Sequence, residues 1–499
     1  MLEKELDIAI IGSGAGGGAV ALELAPLAAQ GARIAVLEWG PRYRLDEMTG
    51  GEIEMATKLY FDGGGFLTRD RSMTLAFARA FGGSTVVYTG TSLPIPEETV
   101  ARWGIAGLAG ADLRRRSEKF AAQNHVHLLE EHLVNDNNRL FRDGCRALGY
   151  RVEQFPINVK GCQGAGMCNL GCPNGAKQGT HVVQLPAAEQ QGVEMVSHCR
   201  VHRITDRGCE ATVAPATAGA PSPWEPGDYR IRAKVVVAAA GAVNSPALLL
   251  RSRLPVSLPA LGRYFTCHPA LILVAQHGRA ITNYRGHPKS YYCDQFAESH
   301  RFLLETCMYF PFVTAKNLAG FGPEHSALLA HMDRLQMILV LALDPASPEN
   351  RITVDASGQP VVDYRITAEM KQALLDSMKT SARIFFAAGA ERVHAPASRK
   401  FLIEASEKDR IDDLVTMDEL KLGKVSITSA HLMGGCRMGA SPESSVTDAW
   451  GQVHGLPWLF VADASLFPSS AEINPYLTIM AFADRVAERI KSRAPELLH

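Results

Sequence analysis

The residues best spaced for chemistry lie near the start of the chain. Gly12-Ser-Gly14-Ala15-Gly-Gly17 matches G-x-G-x-x-G, follows the apolar run Ile8 to Ile11 and leads into a helix-forming stretch from Ala19 to Ala28. A second apolar run, Ile34 to Leu37, ends on Glu38. Each part has a use at a dinucleotide. Gly12 permits the tight strand-to-helix turn, Gly14 lets the backbone approach a pyrophosphate, and Gly17 lets helix pack on strand. The helix N-terminus aims free N–H groups at the phosphates. Glu38 is placed to accept hydrogen bonds from an adenosine ribose. A glycine-rich turn in some other α/β protein is the bland alternative, but strand, loop, helix, strand and terminal acid in that order favour a dinucleotide.

A second candidate lies farther along. Cys162, Cys168 and Cys172 fall within a glycine-rich stretch, Gly161 to Lys177. Such loops let sulfurs converge on a metal or cluster. A closed zinc site wants a fourth ligand, and none stands nearby. Three cysteines suffice for a three-iron cluster; buried thiols in a tight loop are the plainer alternative.

The elements that must position these groups follow from pattern and composition. At 499 residues the chain exceeds one ordinary core, so two domains or one elaborated α/β domain are expected. A hydrophobic content of 46% and a net charge of −1 describe a globular enzyme and point away from nucleic acid and anionic membrane surfaces. The acidic opening, MLEKELD, runs straight into the first strand, which argues against a signal peptide and for a cytoplasmic location with the ten cysteines kept as thiols. No apolar run has the length of a membrane span.

Along the chain, Gly63 to Gly65 reads as a mobile loop, and Gly82-Gly83-Ser84-Thr85 as a turn suited to close backbone approach to a ligand. Helices are expected at 112–124 and 136–148. Ala214 to Pro226 reads as a surface loop. Arg230 to Ala240 is a strand that ends at Gly241 and a helix with Pro246 near its first turn, returning the chain to a parallel sheet. From Leu271 to Val425 the character changes. Leu271 to Ala275, Phe302 to Phe312 and Gln336 to Leu343 read as strands, Arg351 to Ile366 as a hairpin, and Ala368 to Phe386 as an amphipathic helix. Near the end, Leu459 onward is a buried strand breaking at Asp463, and Asn474-Pro475 opens a helix as cap and first helical residue.

Taken together, these strings resemble the glucose–methanol–choline (GMC) oxidoreductase family of flavoenzymes. GSGAGG with Glu38, GGST at 82–85, GAVNSPALLLRS at 241–252, GRYFTCHP at 262–269, and HLMGGCRMG with VADASLFPSSAEINPYLTI at the end occur in family order. The middle of the second domain carries little of the likeness. The resemblance implies a Rossmann-like FAD-binding domain with an inserted α+β substrate domain built on an antiparallel sheet. The expected division is 1–100, 160–270 and 428–499 for FAD, 101–159 as a helical connection, and 271–427 for substrate.

It further implies non-covalent FAD, oxidation of an alcohol to an aldehyde or ketone, and a catalytic pair at His431 and Asn474. The flavin nucleotide would be met by Gly12, Gly14, Ala15, Gly17, Glu38, Gly82, Gly83, Ser84, Gly241, Ala464, Asn474, Pro475 and Tyr476. Asp463 falls at the ribityl chain and Val201 at the adenine. Tyr88 stands where the family usually has Asn or a covalently linked His, which argues against attachment there. An imidazole with a pKa near neutrality suits the removal of a hydroxyl proton as hydride leaves carbon, and a carboxamide can hold the hydroxyl without competing for that proton. His268 is expected to be structural.

With one dinucleotide fingerprint and no second, electrons are expected to enter from the organic substrate and leave from the flavin. Oxygen, a quinone and a cytochrome are all compatible acceptors. The cysteine spacing also resembles that of sugar dehydrogenase subunits carrying a 3Fe-4S cluster. An alternative is therefore the catalytic subunit of an electron-transfer complex with a Cys162/Cys168/Cys172 relay. The tail CNLGCPNGAKQGT resembles long-chain alcohol oxidases instead.

Overall fold

A computed structural model describes residues 1–318, 320, 322–394, 402–421 and 425–498. Its centre is the strand Leu2–Ile11, which lies parallel to Gly227–Ala238 on one side, with Ile11 opposite Ala238, and to Ile34–Leu37 on the other. Glu194–Val196 extends the sheet beyond Ile34–Leu37, and Leu459–Val461 joins the far end of Gly227–Ala238, both in parallel. Ile8 to Ile10 and Val235 to Ala238 are fully buried. That is the continuous apolar pattern of strands covered on both faces. The hairpin Cys199–Thr205 and Gly208–Val213 completes this seven-stranded sheet with antiparallel pairs.

Helix Ala15–Ala29 follows the first strand directly and packs on the C-terminal helix Tyr476–Ser492. The two ends of the chain are thereby joined at one face of the sheet.

The second sheet has nine strands and is largely antiparallel, with Ala270–Gln276, Leu335–Ala342 and Phe302–Thr306 at its middle. Helix Ala368–Ala387 packs behind it together with Asp136–Ala147. Met73–Leu75 and Glu153–Gln154, from outside 271–427, also contribute strands to it.

One local expectation is corrected. The strand from Phe302 ends at Thr306, and Pro311–Asn317 is a helix. Pro311 has no N–H to give a sheet and sits at the first helical position, which favours helix entry. Gly63 and Gly64 fall in a short turn of positive φ, Phe61–Gly64, pinned by the bond from Phe61 N–H to Phe77 O. Among the described residues no helix is long and apolar enough to cross a membrane.

Candidate active site

A cavity of about 490 Å³ lies between the two sheets. Gly12, Gly14, Ala15, Glu38, Gly83, Ser84, Val201, Gly241, Asp463, Ala464, Asn474, Pro475, Tyr476 and His431 all line it. Residues spread over most of the chain's length therefore share one wall. Gly17 and Gly82 stand behind that wall and act through backbone shape. A Cβ on Gly17 would come within 1.9 Å of Gly12 O, and Gly82, at φ +101°, donates its N–H to Ser13 Oγ at 2.8 Å.

The two glycine turns meet. An added Cβ on Gly83 would lie 2.6 Å from Gly14 Cα, whereas one on Gly14 would find Gly83 Cα at 3.8 Å and nothing nearer. Gly14 is bare backbone with room in front of it. Glu38 accepts from Ser13 N–H at 3.0 Å, Ser13 Oγ at 2.6 Å and Gly40 N–H at 2.6 Å, so its carboxylate also ties the loop to the second strand. Burial pushes its pKa upward, opposed by the Ser13 hydrogen bonds. Asp463 accepts from Gly241 N–H, Ser245 Oγ, Ser465 N–H and Ser465 Oγ. Four donors on two carboxylate oxygens fix this residue in the cavity wall.

His431 and Asn474 are brought together as expected. The segment after Ser429 is clamped by reciprocal backbone bonds between Met433 and Thr266 and by Gly434 N–H to Ala464 O. Gly434 takes φ +77° and passes so close to Tyr264 O that a Cβ would lie 2.1 Å from it. On the other side, the loop carrying Asn474 is staked by Glu472, which pairs with Arg102 and Arg301 and accepts from Thr99 Oγ1.

Asn474 Nδ2 lies 3.3 Å from His431 Nε2. The helix beyond begins at Tyr476 without a side-chain cap, so the expected capping role of Asn474 is corrected. Among the described residues its Oδ1 is buried without a hydrogen-bond partner. Burial, then the neighbouring His268 and the Lys289 ammonium, hold the His431 imidazole well below its ordinary pKa, leaving it neutral.

Sequence reasoning named His268 and Tyr88 but not their contacts, and missed Lys289. His268 Nδ1 lies 3.0 Å from His431 Nδ1, and its Nε2 lies 2.7 Å from Ser470 Oγ. Lys289 lines the cavity and forms a buried ion pair with Glu305, a contact between a loop and a strand that no linear motif announces. Tyr88 bonds to Asn158 and its ring packs 4.9 Å from that of Tyr476. Burial raises the Tyr88 phenol well above its ordinary range, so it stays protonated.

The cysteine loop does not fulfil its metal expectation. Among the described residues no three His, Cys, Asp or Glu side chains are gathered closely enough to hold a metal ion. The cation of this loop is Lys177, fully buried, whose Nζ donates to the carbonyls of Val86 at 2.6 Å, Tyr88 at 2.8 Å and Cys168 at 2.5 Å. Burial brings its pKa down to about 8. Cys162 Sγ and Cys172 Sγ instead accept backbone N–H groups, from Gly164 and Lys177. Burial pushes the Cys168 thiol up to about 12. None of Cys162, Cys168 and Cys172 lines the cavity, and their arrangement gives the 3Fe-4S expectation no support.

A parallel sheet with a glycine turn at the end of its central strand, an inserted antiparallel sheet and a neutral imidazole between them define a dinucleotide-binding oxidoreductase architecture. The GMC oxidoreductase family pattern matches residues 56–270 and again 345–483, and the chain belongs to that family of flavoprotein oxidoreductases. A GMC-type oxidoreductase of Mycobacterium tuberculosis is 31% identical over 97% of this chain and 75% of its own length. A long-chain-alcohol oxidase of Arabidopsis thaliana is 26% identical, over 97% of this chain and 68% of its own. Among solved structures, pyridoxine 4-oxidase from Mesorbium loti superposes with a TM-score of 0.72 at 16% identity, covering 98% of this chain and 99% of that one. Formate oxidase of Aspergillus oryzae gives 0.70 at 14%, with both chains fully covered.

The residues present fit a flavin dinucleotide. Gly14 offers open backbone, the first turn of Ala15–Ala29 supplies N–H groups without intrahelical partners, and Asn474 Oδ1 is an unpaired acceptor in the wall.

Proposed function

We propose that this chain oxidises the CH–OH group of an alcohol to a carbonyl, with FAD held non-covalently along the wall from Gly14 to Tyr476. The observation that carries this reading is the pairing of a neutral imidazole and a carboxamide, His431 and Asn474, on the cavity wall that also holds both glycine turns. FAD, when bound, accepts the substrate's hydride.

His431 Nε2 takes the hydroxyl proton as the C–H bond breaks, so that no alkoxide has to form in advance. Asn474 holds the hydroxyl in line. Its carboxamide neither gains nor loses a proton near neutral pH, so it orients without competing for the one being moved. The first turn of helix Tyr476–Ser492 presents its positive end to the cavity, which favours negative charge there.

The second sheet gives the cavity an apolar wall, Ala270, Ile272, Leu339 and Leu341. That wall, with the relatives named long-chain-alcohol oxidases, supports an aliphatic alcohol as the substrate class. An anaerobic screen of straight-chain primary alcohols of increasing length tests this by flavin bleaching. Longer chains should reduce the flavin with lower KM, and reduction by polar polyols alone would sink the assignment.

A further inference from the structure

His268 is completely buried, and His431 is its neighbour on the cavity wall. The rings meet nearly edge-on, at 84°, with Nδ1 facing Nδ1 at 3.0 Å. Two ring nitrogens at that distance can be bridged by one hydrogen only: two would clash, and none would leave two lone pairs opposed. The outer ends are fixed by different groups. His268 Nε2 meets Ser470 Oγ at 2.7 Å, a hydroxyl that can accept or donate. His431 Nε2 meets Asn474 Nδ2 at 3.3 Å, an amide nitrogen that only donates.

The direction of the whole chain follows from that last group. If Asn474 donates to His431 Nε2, that nitrogen carries a lone pair. The His431 hydrogen is then on Nδ1 and points at His268 Nδ1, and the His268 hydrogen is on Nε2 and points at Ser470 Oγ. Burial keeps His268 neutral, its pKa brought down to about 3, so one hydrogen per ring is the correct count.

We propose that His268 is a positioning residue that fixes the tautomer of His431. By accepting the Nδ1 hydrogen it keeps a lone pair rather than a hydrogen on Nε2, so that this nitrogen can accept, from the Asn474 amide as it stands and from a substrate hydroxyl that takes that place. Ser470 completes the relay and holds the His268 ring in plane. This rests on the reading of His431 as the base. The clamp between Met433 and Thr266 places the two histidines side by side although 163 residues separate them.

The test is 15N spectroscopy of histidine-labelled holoenzyme at neutral pH, with the His431 signals assigned through His431→Gln. The wild-type spectrum should show a protonated Nδ1 and a bare Nε2 on His431, and a bare Nδ1 on His268. His268→Phe keeps a buried ring but offers no acceptor; it should leave His431 as a mixture of tautomers and slow flavin reduction about 100-fold with KM nearly unchanged. His268→Asn puts a carbonyl oxygen near the lost Nδ1 and should recover most of the rate.

A wild-type His431 protonated on Nε2 overturns the proposal without any variant, as does a His268→Phe enzyme with unchanged tautomer and rate. If the tautomer is as stated but His431→Ala reduces flavin normally, the base assignment fails while the role of His268 toward the ring stands.

Discussion

Asn474 Nδ2 lies 3.3 Å from His431 Nε2 across 43 residues of sequence, although Asn474 stands two residues before a helix and is of a type that usually caps one. Its side chain turns to the histidine instead. Asn474→Ala should therefore slow flavin reduction about 100-fold while leaving the melting temperature close to wild type. Loss of a true cap would cost about 1 kcal/mol, so a clear thermal loss with an unchanged rate would show the residue to be a cap after all. Stopped-flow absorbance and calorimetry read the two quantities separately.

The pH profile carries a sign. Burial, His268 and Lys289 depress the His431 pKa well below its ordinary 6.5, so the neutral, proton-accepting form persists as pH falls through that value. Flavin reduction at saturating alcohol should stay flat through pH 6.5 and fall only at distinctly lower pH. An acid limb centred at or above 6.5 would contradict the environment described for this imidazole.

The glycines of the opening turn separate into two kinds. A Cβ on Gly16 would lie 1.7 Å from Ala462 O, so Gly16→Ala should yield little folded protein. A Cβ on Gly14 meets only Gly83 Cα, at the ordinary contact distance of 3.8 Å, so Gly14→Val should fold and lose flavin. Circular dichroism with the flavin absorbance of purified protein distinguishes the outcomes; a yellow Gly14→Val enzyme would remove that glycine from the binding wall.

The cysteine loop should answer to Lys177 rather than to metal. Replacing Cys162, Cys168 and Cys172 together by Ser should leave flavin reduction within a few-fold of wild type. Lys177→Met strips the donor from three carbonyls. Each acceptor left unpaired costs about 1–3 kcal/mol, so a large fall in melting temperature is expected. Stoichiometric iron in protein purified without oxygen, lost in the triple variant, would restore the cluster reading.

Much of this was legible in the chain. Ile8 to Glu38 declared itself because its contacts are local, with strand, turn and helix written consecutively. His431 and Asn474 were reachable only through the strings around them, since nothing in the spacing of a histidine and an asparagine 43 residues apart states that they touch. The His268–His431 contact and the Lys289–Glu305 pair depend on how two long-range segments pack, and linear pattern carries no trace of that. The cysteine loop misled for a related reason: three sulfurs at plausible spacing look alike whether they surround a metal or decorate a loop built on a lysine ammonium. The strand proposed to run through Phe312 ends at Thr306, and the helix that replaces its far end opens on a residue in plain view, Pro311.

The chemistry assigned to His431 stands or falls on flavin bleaching in the absence of oxygen. Wild-type holoenzyme mixed with a long-chain primary alcohol in a stopped-flow cell should lose its flavin absorbance in a single turnover. His431→Ala, with its flavin content confirmed equal, should do so about 10³-fold more slowly. A variant that bleaches at nearly the wild-type rate would contradict the assignment of the base.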